Sequence, residues 1–206
     1  YWTQYRDFGL RLVELDPDKD EWRTELAYGH RNLASLALDE GKLEAAEAGF
    51  RRALEISAAL AARHPDDKEM QIALAQDYYW LSSAEERLGN FAAAERSNAQ
   101  EAAIYAAQLA RDAEDDSILH RQSVNGRVRA RIVMANGDAA RAREILLALV
   151  PLHEERIARD PQNSRWLRYY GLLQIDVGAA QLTLGDAEAA RLAAEAALEM
   201  ADRLLV

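Results

Sequence analysis

Cysteine is absent from the 206 residues. Disulfides and thiolate metal sites are therefore excluded, and the redox character of the compartment leaves no trace in the chain. Proline is scarce, with four copies, and we read none of them as lying in the middle of a strongly periodic segment. Aromatic residues make up only 7%. No apolar run approaches the ~18 residues of a membrane-spanning helix, so no direct membrane insertion of this segment is expected. No signal-peptide pattern is visible. Positive charge is in deficit: 25 Lys and Arg stand against 35 Asp and Glu, a formal net charge of −10. Such an excess repels phosphate backbones and argues against nucleic acid as a partner. The chain lacks an initiating Met and opens in what reads as the middle of a helix, so we expect a piece of a longer protein.

What is present is regular. Half of the residues are hydrophobic, with alanine dominant, so a continuous core is within reach. Gly41, Gly89, Gly137 and Gly185 recur at one constant interval of 48 residues. Self-similarity at a period of about 20–50 residues marks stacked repeats. Other columns follow the same step. Pro17, Pro65 and Pro161 coincide, with Ala113 as the exception. Trp22, Met70, Ile118 and Trp166 form an apolar column. Ala46, Ala94, Ala142 and Ala190 form a second, and Leu54, Ala102, Val150 and Leu198 a third.

Each unit reads as two helices. Asp18 with Glu21, and Asp66 with Glu69, have the spacing of a capping box at the start of the first helix. Trp22, Leu26, Leu33 and Leu36 share one face of it. The glycine ends that helix, because the position after a helix favours positive φ. Asn90, Asp138 and Asp186 follow directly and can cap the second helix; Lys42 is the weak member. So short a turn makes the pair antiparallel. We expect an all-α, right-handed α-solenoid of antiparallel helix pairs with about nine helices, in which each pair buries its apolar face against the next. The boundaries are 1–16 for a partial second helix, 17–64 for the first repeat, 65–112 for the second, 113–160 for a degenerate third and 161–206 for the fourth, all within one domain. At the C-terminal end, Leu204, Leu205 and Val206 align with Leu60, Ala61 and Ala62.

The pattern resembles the tetratricopeptide repeat (TPR), in its long variety of roughly 48 residues from bacterial signalling proteins. The residues that carry the resemblance are the DP…W starts (Asp16, Pro17, Trp22; Asp160, Pro161, Trp166) and the apolar–small pairs Leu33-Ala34, Leu81-Ser82 and Val177-Gly178. The turn pairs Gly89-Asn90, Gly137-Asp138 and Gly185-Asp186, and the second-helix set Ala46, Phe50, Ala53 and Leu54, complete it. The common unit has about 34 residues. The surplus amounts to one heptad per helix, close to two turns, which keeps the apolar faces in phase. The resemblance implies a protein-interaction scaffold or regulatory module that binds a protein or peptide on its concave face. It also implies a cytoplasmic location, or else the periplasmic portion of a membrane-anchored parent. One subgroup of the family grips a C-terminal carboxylate with Lys and Asn on successive first helices. Here the corresponding face carries Arg31 and Ser35, then Trp80 and Ser83, so that ligand is not expected.

The face of the first helices turned away from the apolar column supplies candidate partner-binding residues: Tyr28, Arg31, Tyr79, Trp80, Arg127 and Arg131. Aromatic and arginine side chains dominate binding hot spots, and this set reads as a groove for an acidic or extended peptide. The alternative is that the rings pack between units and the arginines pair with nearby carboxylates. The third unit is irregular. Gln122 stands where other units have Leu26 and Leu74, and Arg129 where they have Leu33, Leu81 and Val177. Val124, Val128 and Ile132 offer a stripe rotated by about one residue. Arg121, Arg127, Arg129 and Arg131 form a basic cluster, either a docking patch or a degenerate, solvated or ion-paired face.

Signals for chemistry are poor. His30, His64, His120 and His153 lack metal-ligand spacing, and His64 reads as a cap. No phosphate-binding loop or nucleophile elbow occurs. We expect no enzymatic activity, no cofactor and no metal in this segment. Self-association, or packing on another part of the parent protein, is the second reading.

Overall fold

The computed structural model describes residues 1–205; Val206 and its alignment with Ala62 lie outside them. Among the described residues there are nine α-helices and no strand. They are α1 (Trp2–Leu15), α2 (Asp20–Asp39), α3 (Leu43–Arg63), α4 (Lys68–Arg87), α5 (Phe91–Leu109), α6 (Asp116–Ala135), α7 (Ala139–Arg159), α8 (Ser164–Thr183) and α9 (Ala187–Arg203). The first helices start at 20, 68, 116 and 164, and the second helices at 43, 91, 139 and 187. Both series advance by the step of the glycines.

Each glycine performs the same local task. Gly41, Gly89, Gly137 and Gly185 have φ of 75°, 78°, 91° and 81°, and no other described residue has positive φ. Their N–H groups bond back to Leu38, Glu86, Met134 and Leu182, and the next residue's N–H bonds to Ala37, Glu85, Val133 and Gln181. This pair of bonds is the Schellman closure, which satisfies the orphan carbonyls of a helix end. The residue after the glycine is also the N-cap of the following helix. Asp138 and Asp186 accept from the N–H groups of Arg141 and Ala189, each at 3.0 Å. Asn90, also expected to cap, makes no side-chain cap bond.

The first helices are capped one residue later than the capping-box spacing suggests. Asp67, not Asp66, accepts from Met70 N–H at 3.0 Å. Asn163 does so for Trp166, and Asp115 for Ser117 and Ile118. The equivalent Lys19 has no acceptor to offer, and Asp18 does not replace it. The reason is the DP turn: Asp16 accepts from Asp18 N–H in a local Asx turn, which holds Asp18 outside the helix.

The chain divides into two compact units, Tyr1–Gln122 and the residues from Ser123 onward. In the first, α1 through α5 pack each on its neighbour in sequence. Ala34, Leu38, Ala46, Phe50, Leu81 and Ala84 form one core, and Ala75, Tyr105 and Ile118 another. In the second unit, α8 packs on both α7 and α9, around Ala130, Val133, Ala142, Leu146, Leu173 and Val177.

Two expectations need correction. Leu36, placed on the apolar face, is 47% exposed, whereas Ala27, Ala34 and Leu38 are buried. Leu26 is buried as expected, and Trp22 and Leu33 are half-buried, so the buried face of α2 runs through Leu26, Ala27, Ala34 and Leu38 and misses only Leu36. Small side chains let neighbouring helices close in, and a Cβ on Gly49 would lie 2.8 Å from that of Ala34. Pro151 lies inside α7 rather than outside a periodic segment. It is tolerated because it sits on the exposed side, one turn after the exposed Leu147, whose carbonyl loses its helical N–H partner where solvent can reach it.

Candidate functional site

A cleft of about 510 Å³ opens in the first unit between α1, α2 and α4, with α3 as its floor. Its floor is built from Ala27, Ser57 and Leu60, all buried. Met70 and Ala73 of α4 line one side. Tyr5 and Tyr28 line the other, ring centroids 6.0 Å apart and nearly perpendicular. Trp2 stands edge-on to both, at 5.7 Å and 5.8 Å. This arrangement follows from sequence: α1 presents Trp2 and Tyr5 one turn apart, and α2 lays Tyr28 against them. Edge-to-face contacts of this kind add about 0.5–1.5 kcal/mol each beyond area burial. The tyrosine rings are thereby fixed as a wall rather than left as free side chains.

Arg31, on α2, closes the depth of the cleft. Its Nε and Nη2 donate to the two oxygens of Asp77 on α4, at 2.6 Å and 3.0 Å. Ser57 on α3 donates to the same carboxylate at 2.5 Å. Asp77 is fully buried and the Arg31 side chain is 16% exposed. The cluster ties three helices together and leaves neither charge without a counter-charge, the condition under which buried ions are tolerated. The other charged groups lining the cleft are Glu25, Asp67 and Glu69, all exposed. Tyr5 donates its phenolic hydrogen to Glu25. That bond and partial burial push the Tyr5 pKa up to about 12, so it remains a neutral donor.

The sequence-derived candidates are thus divided. Tyr28 and Arg31 line one cleft. Trp80 stacks on the buried Phe50, 5.8 Å apart and 11° from parallel, and belongs to the core edge. Tyr79 packs edge-on against Trp80. Neither lines the cleft. Arg127 and Arg131 lie in the second unit, where Arg127 donates to Asp176 at 2.6 Å. Arg121 and Arg129 are half-buried and only Arg131 is exposed. Of the rotated stripe, Val128 and Ile132 are buried and Val124 is half-buried.

Of the cleft's lining residues the sequence reading named only Tyr28 and Arg31 as binding candidates; it also missed the polar pair that holds Arg31. Asp77 and Ser57 carry no motif. Their signal is a polar residue inside an otherwise apolar helical face: Asp77 shares its repeat column with Gly29, Asn125 and Leu173. A second cluster has a similar arrangement around a buried carboxylate, with its arginine half exposed. Glu85 on α4 accepts from Arg51 on α3 at 2.8 Å and from Ser97 on α5 at 2.7 Å. Burial holds the Glu85 carboxyl above its ordinary pKa, against the lowering effect of Ser97 and Arg51. In the second unit His153 is fully buried, 2.6 Å from Ser123 Oγ and edge-on to Trp166. His64 lies 2.5 Å from Asp20 at the end of α3, and this bond, with Arg63, holds the Asp20 carboxyl below its ordinary pKa. No group of three His, Cys, Asp or Glu with metal-holding geometry occurs among the described residues. No described helix is long and apolar enough to cross a membrane.

No protein-family model matches the sequence, and a search of curated proteins found no significant match. Solved structures do match in fold. One is a crystal structure of nearly identical TPR-like repeats from a Podosopora anserina protein described as a kinesin light chain. It has a TM-score of 0.61 and 17% identity, over 97% of this chain and 86% of that one. A single-substitution variant of the same protein gives a TM-score of 0.64 and 18% identity over the same shares. At such identity the likeness concerns the backbone alone. Together with the glycine-closed helix pairs and their constant step, it identifies the chain as an all-α helical-repeat solenoid of the TPR-like kind.

Proposed function

We propose that this chain is a protein-interaction module that binds an extended segment of a partner protein in the cleft of its first unit, by equilibrium association without bond chemistry. The observation that carries the reading is the cleft itself. It is apolar at its floor, walled by two tyrosines locked by Trp2, and closed by a neutralised Arg31–Asp77 pair. Such a surface is ordered before a ligand arrives, which lowers the entropy cost of binding. It is concave and mainly apolar, with few polar groups, as ligand sites generally are. A scaffolding or regulatory role in a larger protein fits the TPR-like fold, and catalysis lacks a set of convergent polar groups here.

The test is selection from a random peptide library, followed by fluorescence anisotropy with the selected peptide. Tyr28→Ala should weaken binding by at least about tenfold, as loss of an aromatic anchor does. Failure to select any peptide, or equal binding by this variant, would refute the reading. A second reading, self-association, is favoured by Leu192 and Leu198 of α9, which are 54% and 65% exposed. Exposed apolar groups on a helix face are places where another surface can pack. Light scattering at rising concentration should then show a dimer, and a constant monomer mass would dismiss it.

A further inference from the structure

This inference rests on the binding reading above and names the chemistry of its ligand. The sequence suggests a groove for an acidic or extended peptide because arginine and aromatics face the same way. The geometry reverses that sign. Arg31 is the cleft's one cationic lining residue, and its positive charge is already matched by Asp77, which holds it at two points. The other charges of the lining are carboxylates: Glu25, which accepts from Tyr5, Asp67, which caps α4 at Met70, and Glu69. Lys68, between two of them in sequence, forms an ion pair with Asp115. An acidic ligand would meet three carboxylates and no cation still in need of a counter-ion among the lining residues.

The remaining surface suits a long cationic side chain. Leu60, Met70 and Ala73 offer apolar contact for an aliphatic stem. Tyr28 is 43% exposed, so part of its ring is open to a ligand. A guanidinium or ammonium within ~6 Å of such a face gains a cation–π attraction. We infer that the cleft receives a basic segment of a partner protein. A Lys or Arg stem lies along Leu60 and Met70, and its charged head sits between Tyr28 and the carboxylates of Glu25 and Glu69. The net charge of −10 adds long-range attraction for such a segment and speeds its encounter.

The experiment uses the whole chain and four probes: a capped alanine–serine peptide carrying two arginines, its capped two-glutamine and two-glutamate counterparts, and spermidine. Affinity is read by titration calorimetry. The variants are Glu69→Gln, Tyr28→Ala and Glu44→Gln, the last an exposed carboxylate outside the cleft that changes net charge by the same amount. We expect the arginine peptide to bind about tenfold or more tighter than the glutamine peptide. Glu69→Gln should weaken it about three- to fivefold, and Glu44→Gln should leave it unchanged. The glutamate peptide should not bind. Equal or tighter binding of the glutamine or glutamate peptide, still lost in Tyr28→Ala, overturns the basic specificity and leaves the cleft as a binding site. Equal losses in Glu69→Gln and Glu44→Gln overturn it too, since bulk charge then suffices. Spermidine binding as tightly as the arginine peptide overturns the assignment to a protein segment. Absence of binding by every probe, or binding indifferent to Tyr28→Ala, overturns both this inference and the cleft reading beneath it.

Discussion

Asp77 is the residue on which the first unit's interior most visibly depends. It is fully buried, carries charge, and is held by Arg31 and Ser57 from two other helices. Removing one partner of such a pair leaves the other ion uncompensated, at a cost of about 3–5 kcal/mol. Asp77→Ala should therefore lower unfolding stability by that order in urea titration. The double change Asp77→Leu with Arg31→Met should cost much less, because no stranded charge remains. Glu85 gives a pH prediction. Its folded pKa is raised, so the folded protein holds a proton that the unfolded chain releases as pH rises past the ordinary carboxylate range. Stability attributable to Glu85 is lost over that rise. In Glu85→Gln the fall should vanish, as followed by thermal melts from about pH 4 to 7. Asp20 has the opposite sign: its lowered pKa contributes stability above the ordinary range and loses it as pH falls below. Arg31 and Tyr28, named from sequence, line the cleft, while Tyr79, in the same repeat column as Arg31, does not, so the repeat column alone did not define the site. Asp77 was not legible from sequence, because pairing across 46 residues leaves no local signature.

At the scale of helices, the glycine turns were legible and the cap positions less so. Positive φ is a requirement that few residues meet, so Gly137 announces its own conformation. A cap needs only a nearby oxygen, and in the sequence Asp66 and Asp67 are equally plausible. The structure chooses Asp67, whose own N–H closes a turn on the His64 carbonyl at 3.1 Å and so stands directly before the helix. On α2 only Leu36 was misplaced, and the buried Ala27 and Ala34 were overlooked for a related reason: alanine faces are as buried as leucine faces when helices approach closely, yet they look weaker in a hydrophobic pattern. Gly137→Ala should cost about 1–2 kcal/mol, the penalty for an L-residue in the left-handed region. Pro151→Ala should act in the other direction. It restores an N–H within α7 and removes a ring clash, a change worth up to about 3 kcal/mol in a helix interior. Differential scanning calorimetry on the two variants should show opposite displacements of Tm.

For the whole molecule, charge and repetition set the behaviour. A net charge of −10 on 206 residues means self-repulsion in the folded state. Raising ionic strength from about 0.02 to 0.3 M shortens the screening length severalfold, and Tm should rise. A falling Tm would mean that the ion pairs, such as Arg111–Asp66 and Lys68–Asp115, outweigh the repulsion. Fold class was legible at this scale because a constant step constrains every unit at once. The cleft's sign of charge was not, since it depends on which carboxylate Arg31 meets. The turns carry a last consequence for how such a chain can change in length. Asn90, Asp138 and Asp186 each finish one helix and start the next, so the hinge has no slack. A single residue inserted there would split those two duties, and one inserted within a helix would swivel everything beyond it by ~100°. Lineages of this architecture are thus free to lengthen by whole heptads or whole bricks, and closed to growth by ones and twos.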